Sequence, residues 1–255
     1  MDILSDQHLA DYRSQLTVDI GSALKQLAAV SLTPQSFTFY TSVAVMSSAK
    51  IEGEPLEVDS YVKYKMQQVE YLPELVRKPD DLFQAYIFAE KNELNQANLL
   101  HSHRLLAQHL LPEKWRGIYR TSQMLVMEHN TGKIQFEAAP ASLVSAEMDK
   151  LWRDIAALRQ SSLSETEVFY YAAYLHLTFV CIHPFNDGNG RAARLLEKWF
   201  LADRLGAVGW YVPSERHYYQ HVNEYYRNLN RVGVFYDQLD YARADWFLQM
   251  LPNAV

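Results

Sequence analysis

The sequence predicts an all-α helical bundle carrying one small β-hairpin. Apolar residues recur at helical spacing over most of the chain, between short breaks of Gly, Pro, Ser and Asp. Two short β-prone runs, Met124–Met127 and Ile134–Phe136, flank the turn-forming stretch Glu128–Lys133. The run ending at Ile182 is apolar nearly all round, which marks a central helix.

Residues Asp6 to Val30 read as one amphipathic helix, with Leu9, Tyr12, Leu16, Ile20, Leu24 and Leu27 on one face; Ser31 to Pro34 breaks it. The next run, Phe37 to Ile51, ends at Glu52-Gly53-Glu54-Pro55, where Gly53 and Pro55 form an ordinary helix stop. Glu52 does not fit, because a carboxylate in the last turn opposes the helix dipole. Either solvent screens it or a cation waits elsewhere in the fold. Val58 to Leu72 looks helical and Pro73 closes it; Asp80 to Asn95 follows, with Asp80 or Asp81 as its cap. Ala97 to Leu111 carries His101, His103 and His109, whose spacing makes poor metal geometry. After the hairpin, ended by Ala138-Ala139-Pro140, Leu143 to Gln160 is helical. Ser164-Glu165-Thr166-Glu167 is a capping box for the central helix, in which His176 reads as a satisfied core histidine. A motif helix, Arg191 to Leu205, comes next, and Gly206 and Gly209 mark a turn. Pro213 to Arg231 is rich in tyrosine, and Asp237 to Leu251 is a closing helix with Trp246 and Phe247 in the core.

At 255 residues, with 49% hydrophobic and 21% charged residues, the chain can bury a sizeable core in one domain or two. A net charge of −6 argues against a nucleic-acid partner. The single cysteine, Cys181, lies in an apolar run and reads as a buried thiol. The N-terminus lacks a basic segment followed by an apolar core, and no stretch approaches the ~20 apolar residues of a membrane span. The expectation is a cytoplasmic protein with no membrane partner.

The chemistry concentrates in His183-Pro184-Phe185-Asn186-Asp187-Gly188-Asn189-Gly190-Arg191-Ala192-Ala193-Arg194. Its glycines let the backbone reach φ > 0 and approach a ligand. N–H groups opening a helix form an anion nest. Arg191 and Arg194, three apart, share a helix face. Asp187 could hold a hard cation such as Mg²⁺. His183 could deprotonate a hydroxyl. Asp-Gly-Asn-Gly alone would be only a tight turn. Nest, paired arginines, carboxylate and base together fit transfer from a polyphosphate.

All twelve residues match the Fic family motif, His-Pro-Phe-x-Asp/Glu-Gly-Asn-Gly-Arg-x-x-Arg. Upstream, Ser48-x-x-x-Glu52-Gly53 resembles that family's inhibitory motif, in the subclass whose inhibitory helix precedes the core. The resemblance runs from about Phe37 to Leu251. It divides the chain into an N-terminal helical segment, 1–35, and a Fic domain, 36–251, with inhibitory helix 36–53, flap hairpin 122–140 and motif 183–194. It implies transfer of AMP from ATP to a Ser, Thr or Tyr hydroxyl of a target protein, with release of pyrophosphate and restraint by Glu52. His183 would be the base, and Asp187 would hold Mg²⁺. Gly188, Asn189 and Gly190 would cradle the phosphates beside Arg191, and Arg194 would bind the γ-phosphate. Tyr225-Tyr226-x-x-Leu229 resembles the helix whose aromatic pair lines the base pocket. Leu125, Val126 and Met127 would align an extended target segment by strand addition. A homodimer is compatible with this reading. The alternatives are removal of AMP from a modified protein, transfer of another nucleotide or phosphoryl group, and a non-catalytic module that retains a nucleotide.

Overall fold

The computed structural model describes residues 1–29, 33–127 and 134–255. The expected hairpin turn, Glu128–Lys133, and the end of the first helical run at Val30 to Ser31 lie outside the described residues. The described residues form a bundle of twelve α-helices and one two-stranded antiparallel sheet.

The first amphipathic run is two helices, α1 (Leu9–Gln15) and α2 (Ile20–Ala28). The reason is local: Asp19 turns its carboxylate onto Ser22 N and so starts a new helix. The segment before α1 is tied to the bundle by Asp154, whose carboxylate accepts from the backbone N–H groups of Asp2, Ile3 and Leu4. Helix α3 (Pro34–Ile51) starts at a reciprocal capping box between Thr33 and Ser36. It is followed by α4 (Val58–Gln67), which ends at Gln68 in the left-handed region, five residues before the expected stop.

Pro73 opens α5 (Pro73–Lys91) rather than closing α4, since its fixed φ suits the first helical position. Neither Asp80 nor Asp81 is a cap. Asp80 accepts from Tyr61 Oη, Tyr64 Oη and Lys65 Nζ of α4, and Asp81 binds the backbone N and ring of His109. Helix α6 (Gln96–Leu106) packs on α5. Strands β1 (Leu125–Met127) and β2 (Ile134–Glu137) pair Val126 with Phe136 across the hairpin. Helix α7 (Val144–Gln160) leads to α8 (Glu165–Ile182), which begins at the Ser164/Glu167 capping box. Fourteen of the eighteen residues of α8 are buried, and its most extensive neighbour is α9 (Asn189–Leu205). The motif loop therefore joins the two most central helices.

Beyond α9, the chain forms α10 (Ser214–Gln220), α11 (Val222–Leu229) and α12 (Asp245–Leu248). The closing helix expected over Asp237–Leu251 is broken into 3₁₀ turns and the short α12. Asp240 is the cause, because its side chain caps Ala242 N while its own N–H donates to Val232 O. Phe247 is core as expected, but Trp246 is 60% exposed and carries Arg231 over its ring. No helix among the described residues is long and apolar enough to cross a membrane.

Candidate active site

Helix α8 ends at His183, held at φ +53°, ψ +60°. A left-handed conformation costs a β-carbon residue about 1–3 kcal/mol and persists where the surroundings enforce it. Here the enforcement comes from Arg120. Its Nε donates to His183 O, its Nη2 to Ile182 O and Ala139 O, and its backbone N to Pro184 O. One buried guanidinium thus fixes both the turn and the base of the hairpin. The His183 ring places Nδ1 3.1 Å from Val180 O. A carbonyl only accepts, so Nδ1 carries the hydrogen and Nε2 keeps the lone pair when the ring is neutral. Burial lowers the His183 pKa below its ordinary value, opposed by the Val180 bond.

The loop is closed from within. Asn189 Oδ1 accepts from Phe185 N while its Nδ2 donates to Phe185 O, so this side chain is turned into the loop. Gly188, at φ +78°, caps α9; a β-carbon there would also press on Leu106. His103 supports the loop from α6: its Nδ1 accepts from Gly117 N and its Nε2 donates to Asp187 O, both at 2.9 Å. Its ring stacks on Phe185 with centroids 3.6 Å apart, and burial lowers its pKa to about 4. His103 and Arg120 hold the motif loop in place, and the sequence reading assigned neither a part in the site. A histidine at the spacing of Leu99, Ser102 and Leu106, on the apolar face of α6, was the available signal for the first; Arg120 left none.

A cavity of about 230 Å³ gathers most of the sequence-derived residues: His183, Asp187, Gly188, Asn189, Gly190, Arg194, Tyr225, Tyr226, Glu52 and Val126 all line it. Val126 and Phe136 face inward, whereas Leu125 and Met127 are 47% and 52% exposed on the outer face of the hairpin. Cys181 also lines it, but burial pushes its thiol up to about 12, so it is no nucleophile at neutral pH. Asp187 is exposed; its Oδ1 accepts from Gly188 N, and Oδ2 has no hydrogen bond among the described residues. No three His, Cys, Asp or Glu side chains among the described residues are grouped to hold a metal. One free carboxylate oxygen fits Mg²⁺ arriving with phosphates, and not a resident structural ion.

The cations at the opening of α9 are taken. Arg194, 1% exposed, donates from Nε to Ser48 Oγ (2.8 Å), from Nη1 to Tyr225 Oη (3.2 Å), and from Nη2 to Ser48 O (3.2 Å) and Glu52 Oε1 (2.6 Å). A β-carbon on Gly190 would collide with Glu52 Oε1, so the carboxylate lies against the first turn of α9, where an anion is favoured. Burial would raise the Glu52 carboxyl, but Arg194 and then Arg191 outweigh it, and its pKa is lowered. Arg191 reaches away from the cavity lining toward Glu54 (3.3 Å), which also pairs with Lys78. Gly53, at φ +87°, makes the turn that lets both carboxylates face α9. Tyr225 is buried, while Tyr226 is 42% exposed and donates to Ile51 O.

Comparison with known proteins agrees with this geometry. The Fic/DOC family model matches residues 93–201. "Protein adenylyltransferase Fic" of Drosophila persimilis is 34% identical over 139 residues, 53% of this chain and 25% of that protein. The protein of the same name from Nematostella vectensis is 32% identical over 133 residues, 50% of this chain and 27% of that protein. The chain thus spans about a quarter of the length of these curated relatives. Among solved structures, a Fic family protein from Desulfovibrio desulfuricans superposes with a TM-score of 0.75 at 22% identity, covering 97% of this chain and 73% of that one. A Fic domain containing signaling protein from Bacteroides thetaiotaomicron superposes at 0.71 and 18%, covering 92% and 91%. The motif lies inside the matched segment and the bundle superposes on two Fic proteins, so residues 93–201 are similar to the Fic/DOC family and the chain shares the Fic fold.

Proposed function

We propose that the chain transfers AMP from ATP to a hydroxyl of a target protein, releasing pyrophosphate, and that Glu52 restrains the transfer. The observation that carries this reading is that the available lone pair of His183 and the anion-favouring opening of α9 share one cavity. His183 Nε2 takes the hydroxyl proton as the oxygen bonds to the α-phosphorus. The bond from that phosphorus to the β-phosphate oxygen breaks, and pyrophosphate leaves. Asp187 would hold Mg²⁺, which supplies charge neutralisation on the phosphates. Asn189 and Gly190, whose backbone N–H groups open α9, line the same cavity and would meet the phosphates, while the Gly188 N–H is held by Asp187; Tyr226 sits where a base can stack. The outer hairpin face, with its alternating exposed Leu125 and Met127, suits an added strand of the target.

Restraint by Glu52 follows from charge. The carboxylate occupies the arginine and the helix end that a γ-phosphate needs, so ATP bound with Glu52 in place has its terminal phosphate displaced. The names of the curated relatives support AMP transfer as the reaction class. A second reading, removal of AMP with Glu52 orienting the water, draws on Glu52 lining the same cavity as His183. Incubation of the wild type and of Glu52→Gly with ATP and Mg²⁺ followed by intact-mass measurement tests the first: a gain of one AMP on the variant chain or on a lysate protein is expected. Incubation with an AMP-modified protein tests the second, and no mass change in either experiment would overturn both.

A further inference from the structure

Behind Arg194 lies a buried hydrogen-bonded chain that no step above uses. Arg194 Nη1 donates to Tyr225 Oη at 3.2 Å; Tyr225 Oη lies 3.0 Å from His176 Nε2; His176 Nδ1 lies 2.7 Å from Glu197 Oε2. Tyr218 Oη donates to that same Glu197 oxygen at 2.8 Å. All these residues are at most 1% exposed. They come from three parts of the fold: α8, α9 and the α10–α11 segment.

One assignment of hydrogens gives every donor in the chain an acceptor. In it His176 Nδ1–H donates to Glu197 and Nε2 accepts; the reverse tautomer would leave the Tyr225 hydroxyl hydrogen without an acceptor. Tyr225 then gives its single hydroxyl hydrogen to Nε2, which leaves its oxygen lone pairs for Arg194. Among the described residues, His176 Nε2 is the acceptor that takes the Tyr225 hydroxyl hydrogen and so aims the oxygen lone pairs at the guanidinium. Aligned hydrogen bonds in a dry interior polarise one another, so the acceptor offered to Arg194 is also a stronger one.

We propose that His176 is a positioning residue for nucleotide binding: through Tyr225 it holds the Arg194 guanidinium in one orientation whether Glu52 or a terminal phosphate occupies Nη2. Of the four bonds to Arg194, only the one to Glu52 has to be exchanged when a triphosphate enters. Ser48 and Tyr225 keep Nε and Nη1 where they are. The arginine is thereby prepared for the γ-phosphate before it arrives, and the ordering cost at binding is small. Glu197 sits one turn beyond Arg194 on α9, so the anchor and the anchored side chain move with the same helix.

This inference rests on Arg194 being the γ-phosphate ligand, and the test separates the two. The full chain carrying Glu52→Gly, so that Arg194 is available, is titrated with ATP and with ADP in the presence of Mg²⁺. His176→Phe, Tyr225→Phe, their double variant and Arg194→Ala are compared in that background, each with its melting temperature. The expected result is that Tyr225→Phe and His176→Phe each weaken ATP about tenfold, the change for one lost hydrogen bond to a charged group, and leave ADP unchanged. The double variant should lose no more than either single, because the residues act as one unit. A structural role alone would weaken ATP and ADP equally, and that outcome overturns the proposal. Tyr225→Phe removes one oxygen and reports even if His176→Phe fails to fold. If Arg194→Ala erases the preference for ATP over ADP while folded Tyr225→Phe retains it, the positioning role is wrong and the γ-phosphate assignment stands. If Arg194→Ala leaves the preference intact, the γ-phosphate assignment is wrong and the proposal falls with it.

Discussion

Replacing Glu52 by glycine should release transfer and cost stability at the same time. Arg194 is held by four hydrogen bonds, of which only the 2.6 Å bond to Glu52 joins two charges. A hydrogen bond to a charged group contributes a net ~1.5–3 kcal/mol. The Glu52 side chain is 30% exposed, and solvent screening places this one in the lower half of that range, about 1.5–2 kcal/mol. At about 1.4 kcal/mol per factor of ten, freeing the arginine should raise self-modification roughly 10- to 30-fold. The same loss leaves a buried cation without its counter-charge, so nucleotide-free Glu52→Gly should melt lower. At ~2–4 °C per kcal/mol for a chain of this size, the decrease is about 3–8 °C, and ATP should restore most of it. Arg194→Ala should be inactive, and adding Glu52→Gly should not rescue it. Labelling with radioactive ATP in the wild type, both single variants and the double variant, alongside melting curves, checks each statement. Equal labelling of wild type and Glu52→Gly would refute the reasoning and leave the Glu52–Arg194 pair as a helix contact only.

His183→Ala should lower transfer about 10²–10⁴-fold while nucleotide affinity changes little, because in the proposed function the loop and not the ring would hold the phosphates; full activity in the purified variant would remove the base assignment. Burial lowers the His183 pKa, so the neutral, proton-accepting form persists below pH 6.5; transfer should be level above neutrality and fall only on acidification past an inflection below 6.5, and an inflection above 7 in a pH–rate profile contradicts this. Chelation of Mg²⁺ should stop transfer without moving the melting temperature of nucleotide-free protein, since Asp187 alone makes no structural cage; a large drop would mean a resident ion. His103→Ala should cost about 2–4 kcal/mol, from the lost stack on Phe185 and two orphaned backbone groups, and should weaken nucleotide binding together with stability, measured by denaturant titration and calorimetry.

What could be read from the sequence was what lies close along the chain. The motif loop was legible because His183, Asp187 and the residues that open α9 fall within eight consecutive residues, His183 to Gly190. Glu52 was legible as an anomaly, a carboxylate at the wrong end of a helix, and the structure supplies the cation that such a residue calls for. His103 and Arg120 were not, because they act on backbone carbonyls 84 and 63 residues away, and a carbonyl has no sequence identity. The misplaced helix boundaries have the same origin. Asp80 and Asp81 have the chemistry of caps, but α4 and His109 compete for them and win. Trp246 has the hydropathy of core, yet the break imposed by Asp240 turns it to solvent.

The segment Glu52-Gly53-Glu54 joins these levels. Its two carboxylates neutralise both arginines of the motif helix, Glu52 on Arg194 and Glu54 on Arg191, and Glu54 also holds Lys78 of α5. Gly53 has open space around it and a positive φ, so the turn is set by backbone conformation and not by packing. A residue with a β-carbon at position 53 would resist that φ and pull both carboxylates out of register. The two ion pairs are therefore coupled through one glycine. A movement of the end of α3 that breaks one pair strains the other, and the charge at the opening of α9 changes by up to two units together. If Glu52 restrains transfer as proposed, substitution of Gly53 by alanine should loosen both pairs and raise self-modification as Glu52→Gly does, and unchanged labelling in that variant would show that the pairs are independent.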